Sequence, residues 1–354
     1  MTDIPSIVAG YKKKGLFTHA FVARGRLTDT SPYYVHKDFA DAADVFDLAS
    51  LTKALVTTPL LFCLRDLRGL TFEQSVGDWL GGANLALDPR LKLLTMRDLL
   101  RHTSGLPAWR NFWICRLEGR MDHKLINKEN LLTHQLITLG RAADSIVKSD
   151  VSLYSDVGFI ILGLLLEAVS GQELDQQFRD FCAAELGLNA DTFSLGFPRS
   201  SPHLESFIST GSCLIRQREV RGEVHDENCA ALGGVTGHAG LFGTGEAVCG
   251  FLSSLAKSSV GQRLLTENAE ARQLPRQTPA NEALLGWRQG TTPSSLPFGQ
   301  GAAMGHMGFT GCAFWLWPEA GEYVTLLTNR VISGRISPEI TAMRHDVFTA
   351  LAAL

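Results

Sequence analysis

The chain has 354 residues, 45% of them hydrophobic and 19% charged, which is typical of a globular protein with one large domain or two interleaved ones. Its 33 Lys and Arg residues against 36 Asp and Glu give a net charge of -3, so neither nucleic acid nor an anionic membrane is a predicted partner. The longest apolar stretch, Val157–Val169, is too short to span a bilayer and is predicted to be a core helix.

The N-terminus has no basic segment followed by an apolar one, so a cytoplasmic location is expected, or a periplasmic one if a leader has been removed. The seven cysteines are odd in number and form no C-x-x-C pair, and most lie in apolar surroundings. They are predicted to be reduced core thiols.

In chain order, the pattern predicts a helix over residues 5–14 and then two strands, Leu16–Arg24 and Tyr33–Lys37. From Ser50 to about residue 230 the character is helical, with predicted helices Leu51–Leu67, Met96–Arg101, Leu125–Leu139, Val157–Val169 and Leu174–Leu186. A glycine-rich segment and a further helix follow, then a predicted hairpin of Ala313–Trp317 and Tyr323–Thr328 and a final helix, Pro338–Leu351.

This order predicts an α+β fold. Strands at both ends would form one sheet domain from residues 1–45 and 231–354, with a mostly helical domain, 46–230, inserted between them. A cleft is expected between the two domains. The pattern contains no signal for a particular oligomeric state.

Ser50 and Lys53 lie three residues apart at the start of a predicted helix, so the amine can reach the hydroxyl. Unpaired N–H groups in a first helical turn favour negative charge, and a serine attacks only when a nearby base takes its proton. The pair therefore suits a nucleophile and its base. The structural alternative is an ordinary helix start with a solvated lysine.

Tyr154 and Asp156 immediately precede the predicted Val157 helix and could place a phenol and a carboxylate in the cleft. The structural alternative is a buried tyrosine followed by an Asp N-cap. Residues 305–311 are rich in glycine. Such a segment can bring its backbone close to a ligand, or it can be a tight turn that carries a solvated histidine, His306. His102 is interpreted as structural. His225, Asp226 and His238 lack a metal-binding spacing, so no metal is predicted.

Five segments together resemble the serine β-lactamase and penicillin-binding-protein superfamily, in its class C-like branch. They are DLASLTK, LLRHTSGLP, YSDVGFIILGLLLEAVSG, GEVHDENCAALGGVTGHAGLFGTG and GHMGFTG, in the family's order between residues 46 and 311. The resemblance implies a β-lactamase/transpeptidase-like fold with an antiparallel sheet, terminal helices and an inserted helical domain.

The resemblance also implies site roles. Ser50 would be the acylated nucleophile, Lys53 its general-base partner and Tyr154 the proton shuttle to the leaving group. His306 would stand at the first position of the K-T-G-like motif, which ends at Gly308. The N–H groups of Ser50 and Phe309 would form the oxyanion hole. Which of Lys53 and Tyr154 takes the first proton stays open.

Two departures from the family pattern bear on the substrate. Asp156 replaces the usual asparagine, and its charge would raise the pKa of Lys53 and repel anionic substrates. His306 replaces lysine and would be mostly neutral at pH 7, so substrate carboxylates would be bound weakly.

The predicted function is a cofactor-free serine hydrolase that forms an acyl-enzyme. Its substrate would be a small acyl compound, namely an ester, a D-amino-acid peptide as for a D,D-carboxypeptidase or aminopeptidase, or, with weak activity, a β-lactam. The alternative is a non-catalytic protein that recognises a cell-wall fragment, although a binder has no need of Ser50, Lys53 and Tyr154 together. An α/β-hydrolase would need a G-x-S-x-G elbow, which the sequence lacks.

Overall fold

The computed structural model describes residues 3–39, 43–85, 87, 89–113, 152–188, 194–198, 204–273, 283–290 and 303–354. The predicted helix Leu125–Leu139 and Cys115 lie outside the described residues. Within the described ranges the fold is α+β, as the order of predicted strands and helices indicated.

The strands are β1 Ala20–Arg26, β2 Tyr34–Asp38, β3 Phe46–Asp47, β4 Leu195–Gly196, β5 Gly211–Cys213, β6 Arg218–Val220, β7 Phe242–Gly243, β8 Arg288–Gln289, β9 Met304–Met307, β10 Ala313–Trp317 and β11 Glu322–Thr328. The main sheet has the order β2-β1-β11-β10-β9-β8, and its neighbouring strands are antiparallel. It therefore joins strands from both ends of the chain. The predicted hairpin is confirmed, since β10 pairs with β11.

The α-helices are Ile4–Lys13, Thr58–Arg68, Val76–Leu80, Pro89–Lys92, Met96–Leu100, Asp156–Ser170, Leu174–Leu186, Glu227–Ala231, Gly245–Lys257, Ser259–Gln273 and Glu339–Ala352. Short 3-10 helices cover Leu204–Ser206 and Arg330–Ser333, and a π-helical turn, Lys53–Thr57, leads into Thr58–Arg68. Because residues 51–68 are helical without a break, we call this segment the Lys53 helix.

The main sheet is buried on both faces. Ala20 and Val22 of β1 pack with the two terminal helices, whereas Phe21 and Ala23 belong to the larger core that contains most of the other helices. This alternation follows from the two-residue period of a strand. The larger core packs the Lys53 helix against the sheet.

The helix Asp156–Ser170, here called the core helix, confirms the prediction for Val157–Val169, because ten consecutive residues from Val157 are buried. It ends at Gly171, whose φ of 72° is left-handed. Among the described residues, no single helix is long and apolar enough to cross a membrane. The core helix and Leu174–Leu186 meet that test only when joined, and they are bent by 75°.

Two predictions on the elements are wrong in part. The first strand begins at Ala20 rather than Leu16, because Leu16 and Phe17 are buried in a turn in which the Leu16 N–H bonds back to Tyr11. The middle of the chain is not helical throughout, since β4 pairs with β7 and β5 pairs with β6. These strands are two or three residues long, too short for a period to show in the sequence.

Most of the described cysteines agree with the prediction of core thiols. Those that are buried and form no disulfide are Cys182, Cys213, Cys229, Cys249 and Cys312. Cys63 forms no disulfide either, but it is only half-buried. Burial raises the pKa of Cys182 and Cys249 to about 12 and that of Cys312 to about 11. These thiols therefore stay protonated and unreactive at neutral pH.

Gly163 allows the core helix to contact the backbone at Gly237. A Cβ on Gly163 would lie 2.6 Å from the Gly237 nitrogen, whereas a Cβ on Gly250, in the helix Gly245–Lys257, would meet nothing within 4 Å. We expect Gly163→Ala to lower the free energy of unfolding by about 1–3 kcal/mol. Gly250→Ala should raise it by up to about 1 kcal/mol, since alanine favours a helix. Urea unfolding of both variants tests this, and equal changes in the two would contradict the close contact.

Candidate active site

Ser50 lies in a tight turn at the N-terminus of the Lys53 helix. The preceding residue, Ala49, has a φ of 48°, which is rare for a residue with a Cβ. Its N–H donates a hydrogen bond of 2.9 Å to the carboxylate of Asp47. Ser50 is half-buried, so its hydroxyl is sheltered but not sealed from solvent. The predicted position of Ser50 at the start of a helix is confirmed.

Lys53 is buried beneath Ser50. Its Nζ donates hydrogen bonds to Ser50 Oγ (2.9 Å) and to the carbonyl of His238 (3.0 Å). It also lies 2.7 Å from Asp156 Oδ1 and 5.0 Å from the centre of the Tyr154 ring. Lys53 therefore is not the solvated lysine of the structural alternative, because it bridges Ser50 to a carboxylate and a backbone carbonyl.

The π-helical turn Lys53–Thr57 explains how the Lys53 helix continues past Pro59. The Thr58 N–H bonds to the carbonyl of Lys53, five residues back, and Pro59 has no N–H to bond to Ala54 in the same pattern. The indole of Trp287 donates to the Ala54 carbonyl instead, at 3.1 Å. The Ala54 carbonyl, which has no backbone donor in the irregular turn, is thus bonded by a side chain from elsewhere in the sequence.

Tyr154 and Asp156 approach Lys53 from the start of the core helix. The N-cap is Ser155 and not Asp156, since the Ser155 side chain accepts a hydrogen bond from the Gly158 N–H. That leaves the Asp156 carboxylate available to the lysine. The phenol of Tyr154 lies near Ser50 and Lys53, and both side chains act to lower its pKa. The structure thus brings Ser50, Lys53, Tyr154 and Asp156 together.

The electrostatics of this group keep the lysine charged. Burial opposes the charge of Lys53, but the Asp156 carboxylate and the Tyr154 phenol outweigh burial and raise the pKa of Lys53. Burial also raises the pKa of Tyr154, with Lys53 opposing this rise and Asp156 adding to it. At neutral pH the resting site therefore holds an ammonium and a neutral phenol. The expected effect of Asp156 on the pKa of Lys53 is confirmed.

Two histidines lie against Tyr154. His102 is buried, its ring centre is 4.6 Å from that of Tyr154, and its Nδ1 accepts a hydrogen bond from the Ser155 N–H at 3.0 Å. Burial, with Lys53 and Arg288 contributing, lowers the pKa of His102 to about 3. Its burial and its hydrogen bond to the Ser155 backbone agree with its interpretation as a structural residue.

His306 lies in β9 and is only 1% exposed, which contradicts the alternative of a solvated turn histidine. Its Nδ1 lies 2.9 Å from the Met307 carbonyl, so Nδ1 carries the hydrogen. Burial, followed by the charges of Lys53 and Arg288, lowers the pKa of His306 well below its usual value. The side chain is neutral at pH 7, as expected, but its burial was not predicted.

Gly308 brings the turn after β9 against the Ser50 turn. A Cβ on Gly308 would lie 2.9 Å from the carbonyl of Leu48 and 3.3 Å from Ala49 Cβ. Phe309, the next residue, is half-buried. Within the described ranges, neither the Ser50 nor the Phe309 backbone N–H donates a hydrogen bond. Two amides from adjacent turns are thus available to a substrate oxygen.

A second layer of polar side chains supports Lys53, and its members, Asp226 and His238, were considered from the sequence only as metal ligands. His238 Nε2 lies 3.0 Å from Asp226 Oδ1, and the same oxygen accepts a hydrogen bond from the Cys229 N–H. Burial alone would raise the pKa of Asp226, but His238 and the Cys229 N–H hold it well below its usual range. The described residues contain no cluster of three or more His, Cys, Asp and Glu side chains that could hold a metal.

Because Asp226 is buried and paired, Asp226→Ala should lower the free energy of unfolding at pH 7 by about 3–5 kcal/mol. A carboxylate with a lowered pKa stabilises the fold above its ordinary pKa and loses that contribution as the pH falls. The difference in the free energy of unfolding between wild type and Asp226→Ala should therefore become smaller below about pH 4.

Urea unfolding at pH 7 and at acidic pH measures this difference. Asp3→Ala is the matched control. Asp3 caps the helix Ile4–Lys13 as Asp226 caps Glu227–Ala231, but Asp3 is exposed, so its effect should be smaller at pH 7. A difference for Asp226→Ala that is the same at both pH values would contradict the role of the Asp226 charge.

Comparisons with known proteins agree with this arrangement. The family model described as Beta-lactamase matches residues 35–345. A Salmonella typhi protein provisionally named D-alanyl-D-alanine carboxypeptidase is 27% identical over 331 residues, which cover 88% of this chain and 75% of that protein. A protein of Escherichia coli K12 with the same provisional name is 28% identical over 320 residues, covering 85% and 72%.

Solved structures share the fold at low identity. EstCE1, a hydrolase with promiscuous acyltransferase activity, superposes with a TM-score of 0.69 at 18% identity and covers 98% of this chain and 97% of its own. A class C beta lactamase from Rhodobacter sphaeroides gives 0.66 at 15% identity, covering 99% and 98%. At such identities the likeness shows the fold alone.

Proposed function

Since this chain belongs to the beta-lactamase family of serine hydrolases, we propose that it forms an acyl-enzyme on Ser50 and hydrolyses neutral esters or D-amino-acid peptides. The observation that carries the proposal is the 2.9 Å contact between Lys53 Nζ and Ser50 Oγ in a site that also holds Tyr154. Once its ammonium has lost a proton, a buried lysine beside a half-buried hydroxyl can take the proton of the attacking serine.

The proposed reaction has two steps. The Lys53–Tyr154 pair, an ammonium and a phenol in the resting site, first loses one proton to solvent and so becomes a base. Ser50 Oγ then attacks the substrate carbonyl carbon, its proton passes to this pair, and the N–H groups of Ser50 and Phe309 bind the resulting oxyanion. The intermediate collapses as the leaving group takes that proton through Tyr154. Water then attacks the acyl-enzyme with the same pair as base, and the acid is released.

The two departures from the family pattern, Asp156 and His306, support a preference for substrates without a carboxylate. The charge of the Arg288 guanidinium, which lies 5.9 Å from the centre of the Tyr154 ring, opposes this preference. Asp156 places a negative group 2.7 Å from Lys53 Nζ, and His306 is neutral and buried. Neither would attract a substrate anion. Penicillins and peptides with a free C-terminal carboxylate should therefore be poorer substrates than neutral esters, although the provisional name of the Salmonella typhi relative keeps D,D-peptides among the candidates.

Matched substrate pairs test this preference. We would compare kcat/KM for a D-alanyl-D-alanine peptide and its C-terminal amide, and for a penicillin and its methyl ester. The neutral member of each pair should react equally well or better. A loss of more than about tenfold on removal of the carboxylate would show that the site binds anions and would overturn the preference.

Asp156→Asn should shift the pH dependence of the reaction. The Asp156 charge raises the pKa of both Lys53 and Tyr154, so removing it makes either base available at lower pH. We expect the rising limb of kcat/KM for p-nitrophenyl acetate to move to lower pH, with roughly a tenfold gain at pH 7. Asp180→Asn, on the helix Leu174–Leu186, is the control. If the rising limb of kcat/KM for Asp156→Asn lies at the same pH as that of wild type, the Asp156 charge does not set the pKa of the catalytic base.

A non-catalytic protein that binds a cell-wall fragment is the rival function. It would bind a muropeptide or penicillin without covalent change and without turnover of any ester. The absence of turnover across both substrate pairs would favour it.

A further inference from the structure

Asp47 is a buried acidic residue that the proposed reaction does not use. Only 2% of its surface is exposed. One carboxylate oxygen accepts the N–H of Ala49 at 2.9 Å, and the other accepts the N–H of His225 at 2.8 Å. A buried carboxylate with both oxygens bonded to backbone amides fixes the two segments relative to each other.

The first of these segments is the strained turn before Ser50. Ala49 has a left-handed φ of 48°, although it carries a Cβ and is fully buried. A residue with a Cβ keeps this conformation only where its surroundings hold it there, and such strain is common at functional sites. The hydrogen bond from the Ala49 N–H to Asp47 is a contact that holds this turn closed.

The second segment leads to Lys53. His225 precedes Asp226, Asp226 pairs with His238, and the His238 carbonyl accepts a hydrogen bond from Lys53 Nζ. One oxygen of Asp47 is therefore bonded to the turn that positions Ser50, and the other to the segment that helps to position its lysine partner.

We propose that Asp47 is a positioning residue, whose ionised carboxylate sets the placement of the Ser50 hydroxyl relative to Lys53 Nζ. This inference rests on the proposed function, because it assigns a role in forming the Ser50 acyl-enzyme. It also makes acylation depend on the protonation of a group that does not touch the substrate.

The surroundings of Asp47 place its titration near neutrality. The groups that face it are the neutral His225, the Asp226 carboxylate, the Arg216 guanidinium and Cys312, whose thiol lies 3.6 Å from the Asp47 carbonyl. Burial is the largest influence and raises the pKa of Asp47 to about 6. A protonated carboxyl would turn an O–H toward one of the two backbone N–H groups and lose that hydrogen bond.

The test is the pre-steady-state rate of acylation by p-nitrophenyl acetate as a function of pH. For wild type we expect an inflection near pH 6, below which the rate falls more steeply than the protonation of the Lys53–Tyr154 base alone requires. Asp47→Asn should lower the rate at pH 7.5 by roughly 10- to 100-fold with little change in KM, and the inflection near pH 6 should disappear. Asp44→Asn, in the same approach to β3, is the matched control and should keep both the rate and the inflection.

A second substitution separates positioning from a general loss of structure. Glycine adopts a positive φ without strain, so Ala49→Gly should restore most of the rate in an Asp47→Asn background. If Asp47→Asn alone does not fold, the added Ala49→Gly should let the double variant fold, so that its acylation rate can be measured. A double variant with the same deficit as Asp47→Asn, or one that keeps the inflection near pH 6, overturns the inference.

The wild-type data alone also decide the matter, since a log rate that changes with pH at one constant slope between about pH 5 and 7, without the inflection, would contradict the proposed titration. Wild-type acylation that Asp47→Asn leaves unchanged overturns this inference and leaves the proposed function intact. A wild-type protein that forms no acyl-enzyme at any pH overturns the proposed function and this inference with it.

Discussion

Ser50→Ala is expected to lower kcat/KM for p-nitrophenyl acetate by at least about 10⁴-fold while the protein stays folded. The hydroxyl is the group that Lys53 Nζ contacts at 2.9 Å, and within the described ranges the adjacent N–H groups of Ser50 and Phe309 make no other hydrogen bond. Without the oxygen, the oxyanion site and the base have no nucleophile to act on. Steady-state hydrolysis with both proteins at equal concentration measures the effect.

Ser253→Ala is the control for this variant, because Ser253 is a buried serine in the separate helix Gly245–Lys257. It should leave kcat/KM unchanged. Residual turnover by Ser50→Ala within about tenfold of wild type would mean that another residue performs the attack.

Lys53→Met is expected to lower kcat/KM by about 10³-fold or more, with a much smaller effect on folding. The lysine is fully buried and its Nζ lies over the rings of Tyr154 and Phe159 at 5.0 and 5.7 Å. Methionine fills the same space with an apolar chain and supplies no proton acceptor. Asp156 keeps contact with solvent, since 19% of its side chain is exposed.

The measurement for this variant combines hydrolysis with urea unfolding. Lys257→Met, at the exposed end of the helix Gly245–Lys257, should leave activity unchanged. If Lys53→Met retained wild-type turnover, Tyr154 would have to take the serine proton without the lysine.

The sequence predicted those parts of the site that depend on short spacing. Ser50 and Lys53 are three residues apart on a helix, so their contact follows from helix geometry alone. Asp156 was expected to raise the pKa of Lys53, and it does so from the start of the core helix. The order of strands at the two termini likewise predicted a sheet shared between them.

Other features depend on contacts between distant residues, which a single sequence does not reveal. The Asp226–His238 pair reaches Lys53 through a backbone carbonyl, and a carbonyl leaves no mark in the sequence. The φ of Ala49 is equally hidden, because alanine usually signals ordinary helix or strand. His306 was expected to be neutral from its usual pKa, but its burial depends on its place in β9 within the sheet.

The most direct test of the central proposal is intact-protein mass spectrometry after brief incubation with p-nitrophenyl acetate and, separately, with a penicillin. We predict one acetyl group per wild-type chain, located on the peptide that contains Ser50, with little penicillin adduct and no adduct on Ser50→Ala. An acetyl group that persists on Ser50→Ala, or that maps to another residue, would contradict an acyl-enzyme on Ser50. No adduct and no turnover with either reagent would favour the non-catalytic binder.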